Sequence, residues 1–270
     1  MTPKKTCTAF FSGSSYHSPN HPVSPLARMS PSLAFYLKAF RIVWRSSRRA
    51  MSGNYDDVAW HDSSVQIVKA LESVGCHLHV TGMEHLNNPQ GPCVFVGNHM
   101  STLETFVLPS LIMPHGFNLT YVVKRSLNDY PVFKHVMRSR NPVVVDRTNP
   151  RDDLKVVLEE GAKRLAEGTS LIIFPQHTRS VDFNPEQFNS IAVKLARKAG
   201  VPVLPVALLS WAWSTGKWLK DYGPIIPSRT IYFSFGEPMT VSGRGNEAQA
   251  SIIQYIENKL ALWRSNLQQP

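Results

Sequence analysis

From residue 65 onward, short apolar runs alternate with segments of helical period. Cys76–Val80 alternates like a strand and runs into a Thr81-Gly82 turn. Cys93–Gly97, Thr120–Lys124, Val143–Asp146, Ser170–Phe174, Val203–Leu208 and Ile231–Phe235 are apolar runs of strand length. Between them, Val65–Val74, Ser101–Leu111, Tyr130–Ser139, Asp152–Glu167, Gln187–Ala199 and Ala248–Leu267 carry the period of helices. The first of these stops at Gly75, and the fourth has acids at its positive end. Strands that are apolar throughout, alternating with amphipathic helices, predict an α/β fold: a mostly parallel sheet flanked by helices. The body, residues 54–270, shows no internal repeat and no linker.

Ahead of the body lies a segment of different character. Over residues 32–49, Leu33, Tyr36, Leu37, Phe40, Val43 and Trp44 recur on one face, while Lys38, Arg41, Arg45, Arg48 and Arg49 fall largely on the other. This predicts a basic amphipathic helix over 31–53 lying on an anionic membrane surface. The alternative is a helix packed on the body with its basic face in water. Residues 1–30 hold six serines and no acid. They read as disordered, as transit-peptide-like, or as a mis-assigned extension of a chain that starts at Met29.

Charge sharpens the contrast. The net charge is +10, yet residues 1–50 carry eight basic residues and no acid, which leaves +2 for the rest. A basic arm on a near-neutral body points to lipid or nucleic acid. No zinc-ligand spacing, RNA-binding signature or basic repeat supports nucleic acid. No apolar run of about 18 residues is present, so no transmembrane helix is expected. Three cysteines without a CxxC pair suggest a reducing compartment and no disulfide framework.

Candidate chemistry collects at the carboxyl ends of the apolar runs, where open α/β sheets form their binding crevice. Asn98-His99 follow one run, Lys124-Arg125 a second, and Arg147 a third; Gln176-His177-Thr178-Arg179 follow a fourth. A carboxylate, Glu104, lies five residues after His99, a pattern that His79/Glu84 and His177/Asp182 match by chance. Only His99 stands between a core strand and a helix, which suits a general base oriented by an acid. Ser101-x-x-Glu104 also fits a capping box, in which the carboxylate serves the backbone. Arg147, Arg179 and Lys124 suggest an anionic substrate such as a phosphate, or else ordinary ion pairs. His77 and His79 read as surface or packing residues. Trp211, Trp213 and Trp218 suit either packing or a lipid interface.

These blocks, in this order, resemble the glycerolipid acyltransferases, whose members include the 1-acylglycerol-3-phosphate acyltransferases. Asn98-His99 through Glu104 is similar to Asn-His-x4-Asp, and Val144-Val145-Asp146-Arg147 to the arginine-bearing second block. Phe174-Pro175-Gln176-His177-Thr178-Arg179-Ser180 is similar to Phe-Pro-Glu-Gly-Thr-Arg-Ser, and Val201-Pro202-Val203-Leu204-Pro205 to the Val-Pro-x-x-Pro block. The match runs over about residues 78–240. Glu104 replaces the usual aspartate, and Gln176-His177 replace Glu-Gly.

The resemblance implies that residues 54–270 form an acyltransferase domain. His99 takes the acceptor's proton and Glu104 orients it. Arg147, Arg179, Thr178, Lys124, Gln176, His177 and Ser180 hold the substrate. It implies a fatty acyl thioester donor, acyl-CoA or acyl carrier protein, with no cofactor and no metal. The acceptor is a lysolipid, by default 1-acylglycerol 3-phosphate, with a lyso-ornithine lipid as an alternative. The expected setting is the cytoplasmic face of a membrane, by expectation a bacterial inner membrane, with membrane lipid and not nucleic acid as partner. A thioesterase or a lipid-binding protein without activity are the rival readings.

Overall fold

The computed structural model describes residues 7–11, 13–87, 91–130, 133–176, 178–217 and 219–266. Eight strands form one sheet: β1 (Tyr16–His17), β2 (Leu78–Thr81), β3 (Val94–Gly97), β4 (Asn118–Lys124), β5 (Val143–Val145), β6 (Thr169–Ile173), β7 (Val203–Leu209) and β8 (Ile231–Phe235). Their order is β1-β2-β8-β7-β3-β6-β4-β5. Five adjacent strands, β7-β3-β6-β4-β5, run parallel. The antiparallel pairs are β7 with β8 and β1 with β2.

The central strands are mostly apolar because both faces are covered. On one face Phe95, Ile172, Leu204, Val206, Leu208 and Phe233 pack with the helices α2 (Pro31–Met51), α3 (Asp57–Glu72) and α4 (Leu103–Ile112). On the other, Val94, Val96, Leu171, Ile173, Val203 and Ala207 pack with α7 (Pro150–Ala166), α8 (Ile191–Ala199) and α9 (Asn246–Asn266). Short helices α1 (Pro25–Met29), α5 (Arg125–Asn128) and α6 (Phe133–Ser139) complete the set. Helix starts obey local chemistry: Asp56 caps α3 by accepting from Ala59 N, and Asn149 caps α7 ahead of Pro150 and two aspartates. Gly200, at φ 66°, ends α8 in the left-handed conformation.

The N-terminal expectation needs correction. The described residues before Ser30 are not disordered. β1 extends the sheet by pairing with β2, and Ser24 caps α1. Phe11 and Ala27 are buried, and Tyr16 Oη and Ser18 Oγ both donate to Glu72 Oε1. Tertiary contacts that a serine-rich composition does not advertise hold this segment.

The helix expected over 31–53 is α2, but its faces differ from the expectation. Phe35 and Ala39 are buried against the body, where α2 packs on α3 and α6. Tyr36 Oη donates to Gly223 O, and Ser32 Oγ accepts from Ile225 N. A second stripe, Leu33, Leu37, Phe40 and Trp44, faces solvent. The one apolar face is therefore two: one docked and one bare. No helix among the described residues is long and apolar enough to cross a membrane.

Candidate active site

The parallel strands β7, β3 and β6 end side by side, and the chain after each contributes to one cluster. β3 and β7 approach so closely at Gly97 that a Cβ there would lie 3.0 Å from Val206 O. Beyond it the side chain of Asn98 extends the ladder: its Nδ2 donates to Leu208 O and its Oδ1 accepts from Leu208 N, both at 2.8 Å. This fixes where the next residue, His99, leaves the sheet.

The loop after β6 grips His99 through its backbone. His99 N donates to Gln176 Oε1 at 2.7 Å, and Ser180 N donates to His99 O at 2.9 Å. The imidazole stacks on Phe174, with centroids 4.4 Å apart and planes 7° from parallel.

Glu104, in the first turn of α4, is fully buried and meets five groups. Its Oε1 accepts from His99 Nδ1 at 2.9 Å, Met100 N at 2.7 Å and Ser101 N at 2.9 Å. Its Oε2 lies 2.6 Å from Ser210 Oγ and 2.9 Å from Ser101 Oγ. Burial alone pushes the Glu104 carboxyl up, but the His99 hydrogen bond and charge, the Ser210 hydroxyl and the Ser101 N–H outweigh it, so the net direction is down. The backbone contact expected of a capping box and the contact with His99 coexist, since one oxygen serves Ser101 N and His99 Nδ1 together. A carboxylate only accepts, so Nδ1 carries a proton, and in the neutral ring Nε2 then has the lone pair.

Arg179 lies beside this dyad. It donates to Thr102 Oγ1 and pairs with Asp221 Oδ1 at 2.5 Å, while Thr102 Oγ1 also donates to Asp221 Oδ1 at 3.1 Å. Arg147 adopts the left-handed conformation at φ 58°, a placement that costs about 1–2 kcal/mol in a non-glycine residue. Asp153 Oδ1 accepts from both Asp146 N and Arg147 N and holds that turn. The Arg147 guanidinium is pushed down by burial and by the charge of Arg179, against the pull of Asp153. The two arginine charges act on each other at the carboxyl ends of β5 and β6.

The other described candidates divide between this cluster, the surface and ordinary packing. Gln176 is buried and spends its oxygen on His99 N, so it holds the His99 backbone. Ser180 Oγ accepts from Asp182 N, and Thr178 is exposed beside Arg179. Lys124 is exposed at the end of β4, two strands from β3, and its neighbour Arg125 pairs with Asp146. His177 and Trp218 lie outside the described residues. Trp213 is buried against Phe35 and Phe106, in a packing role. Trp211 Nε1 donates to Thr230 O. His79 packs between His17 and Tyr232.

Three residues of the cluster escaped the sequence reading: Ser210, Asp221 and Phe174 as a stacking partner. Ser210 follows an apolar run as His99 does, and that position was its signal. Asp221 sits in an aperiodic stretch and had none.

An acyltransferase family model matches residues 77–209. The chain is 33% identical over 184 residues to a 1-acyl-sn-glycerol-3-phosphate acyltransferase of Pseudomonas aeruginosa, covering 68% of this chain and 67% of that protein. It is 33% identical over 138 residues to the chloroplastic 1-acyl-sn-glycerol-3-phosphate acyltransferase BAT2 of Brassica napus, covering 51% of this chain but 38% of that longer protein. The crystal structure of the 1-acyl-sn-glycerophosphate acyltransferase PlsC from Thermotoga maritima superposes with a TM-score of 0.62 over 91% of this chain and 98% of its own, at 21% identity.

Proposed function

The chain belongs to the glycerolipid acyltransferase family and is an O-acyltransferase, and from that premise we propose that it acylates the free hydroxyl of a lysophospholipid, with 1-acylglycerol 3-phosphate as acceptor. The observation that carries this reading is the buried Glu104 carboxylate at 2.9 Å from His99 Nδ1, with the Arg179 guanidinium held beside it on Thr102.

His99 Nε2 takes the proton of the acceptor hydroxyl as its oxygen bonds to the thioester carbonyl carbon. The tetrahedral intermediate collapses, the carbon–sulfur bond breaks, and the imidazolium returns its proton to the leaving thiolate. The products are a diacyl lipid and a free thiol. Glu104 stabilises the transient imidazolium and fixes its tautomer. The donor is acyl-CoA or acyl carrier protein, and no cofactor is needed. Gln176 faces the His99 backbone, so its exchange for glutamate gives no reason to move to another head group. Arg147 and Arg179 distinguish this reading from a thioesterase, which has no anionic acceptor to bind. The bare stripe of α2 and its basic side chains support peripheral binding to the cytoplasmic face of an anionic membrane.

The test is acyl transfer by purified protein from labelled acyl-CoA and acyl carrier protein to a panel of lysolipids, with His99→Ala alongside. A labelled diacyl product that disappears in the variant supports the proposal. Free fatty acid as the only His99-dependent product replaces it with a thioesterase.

A further inference from the structure

We infer that Ser210 is a positioning residue for the reaction, the hydroxyl that seats Glu104 so that a carboxylate one methylene longer than aspartate presents Oε1 to His99. This rests on the reading of His99 as the base.

A glutamate at this position must place its extra length somewhere. With Oε1 occupied by His99 Nδ1 and two backbone N–H groups, the free rotation about the last side-chain bond is set by what holds Oε2. Two hydroxyls hold it. Ser101 comes from the same turn, and its Oγ also accepts from Leu103 N and lies 3.1 Å from Ser210 O. Ser210 comes from the end of β7, 106 residues from Glu104, and makes the shorter bond at 2.6 Å. Both hydroxyls are buried and within 2.9 Å of each other. Glu104 and Ser210 are shielded from bulk solvent, so a lost donor is not replaced there without cost.

The two anchors also share a strand. Asn98 is clamped to Leu208, and Ser210 follows two residues later. One segment of β7 therefore sets the backbone ahead of His99 and the carboxylate behind it. The catalytic pair is aligned by a strand that contributes neither member. An aspartate at position 104 ends about 1.5 Å short of this arrangement and leaves Ser210 Oγ beyond hydrogen-bond reach.

The test is a double-mutant cycle read by thiol release from acyl-CoA, which reports turnover whether the acceptor is a lysolipid or water. Ser210→Ala is expected to lower kcat about tenfold with KM changed less than about twofold. Ser210→Thr, which keeps the hydroxyl, retains most of the rate. Ser210→Cys, which keeps the shape without a strong donor, resembles alanine. In a Glu104→Asp background, Ser210→Ala has no further effect. The His99 Nδ1–H resonance in 15N-edited spectra gives an activity-independent readout: it shifts in Ser210→Ala and Ser210→Cys and stays in Ser210→Thr. Equal losses in the wild-type and Glu104→Asp backgrounds, or an unmoved resonance with only a lower Tm, overturn the inference. Absence of transfer to any lysolipid, with these shifts present, overturns the proposed function and leaves the positioning role standing.

Discussion

Arg179 and Asp221 hold each other at 2.5 Å, and Thr102 Oγ1 hydrogen-bonds to both. Asp221 is delivered by a braced loop: its carbonyl accepts from Trp213 Nε1, and Gly223 and Ile225 are tied to α2. A carboxylate thus occupies the guanidinium that an acceptor phosphate would claim. Displacing it subtracts from acceptor affinity, so Asp221→Asn, which keeps the shape and loses the charge, is expected to lower the acceptor KM. A partly exposed pair is worth about 1 kcal/mol, or roughly fivefold. Steady-state kinetics with lysophosphatidate check this. A higher KM shows instead that Asp221 serves to hold Arg179 in place.

The lowered carboxyl of Glu104 makes a prediction about stability. Its folded value lies below the ordinary 4.5, so the folded state binds the proton less readily than the unfolded chain. The resulting stabilisation is fully present above the ordinary value and is lost as pH falls through the lower folded one. Glu104→Gln removes it. The difference in urea-unfolding free energy between wild type and variant is expected to be constant from pH 7 to about 5 and to shrink below that. A difference that grows on acidification contradicts the direction of the shift.

The sheet was legible because its central strands are buried on both faces and are mostly apolar. β2 to β8 fall within a few residues of the apolar runs. β1 and α1 were not legible, since Tyr16, Ser18 and Phe11 acquire their meaning from contacts such as that with Glu72, more than fifty residues away. The dyad was readable because His99 and Glu104 are local to one strand–helix junction. Its supports come from elsewhere: Gln176 from the loop after β6 and Ser210 from the end of β7. The face of α2 was misjudged for a related reason. Helical period shows that Phe35 and Phe40 are apolar, but not which of them meets the body.

Gln176 makes a separate prediction because its oxygen is the partner of the backbone N–H of His99, the proposed base. Gln176→Leu keeps the volume and strands that donor in a buried site. The expected cost is about 1–3 kcal/mol in stability, with kcat reduced as the His99 backbone relaxes. Gln176→Glu keeps an acceptor oxygen and should retain more activity than leucine. Chemical denaturation and turnover of both variants check this. Equal activity in the two shows that the bond to His99 N has no part in holding the base.

The two apolar stripes of α2 predict opposite phenotypes. Leu33, Leu37, Phe40 and Trp44 are 45–63% exposed and follow one another at helical spacing. Arg48 lies over the Trp44 ring at 5.0 Å, and Arg41 and Arg45 are exposed nearby. Burying a leucine or phenylalanine in an apolar phase is worth about 1.5–3 kcal/mol, and each basic residue at an anionic surface adds about 1 kcal/mol. Leu37→Glu with Phe40→Glu is therefore expected to reduce sedimentation with anionic vesicles at least tenfold, while Tm moves by no more than about 2 °C. Phe35→Ala, on the docked stripe, should cost about 3–5 kcal/mol of stability. Vesicle binding of wild type should also weaken as salt rises, because the cationic contribution is screened. If the double variant sediments like wild type, the bare stripe does not meet lipid and the membrane reading fails. If it unfolds as Phe35→Ala does, the stripe belongs to the core of the fold.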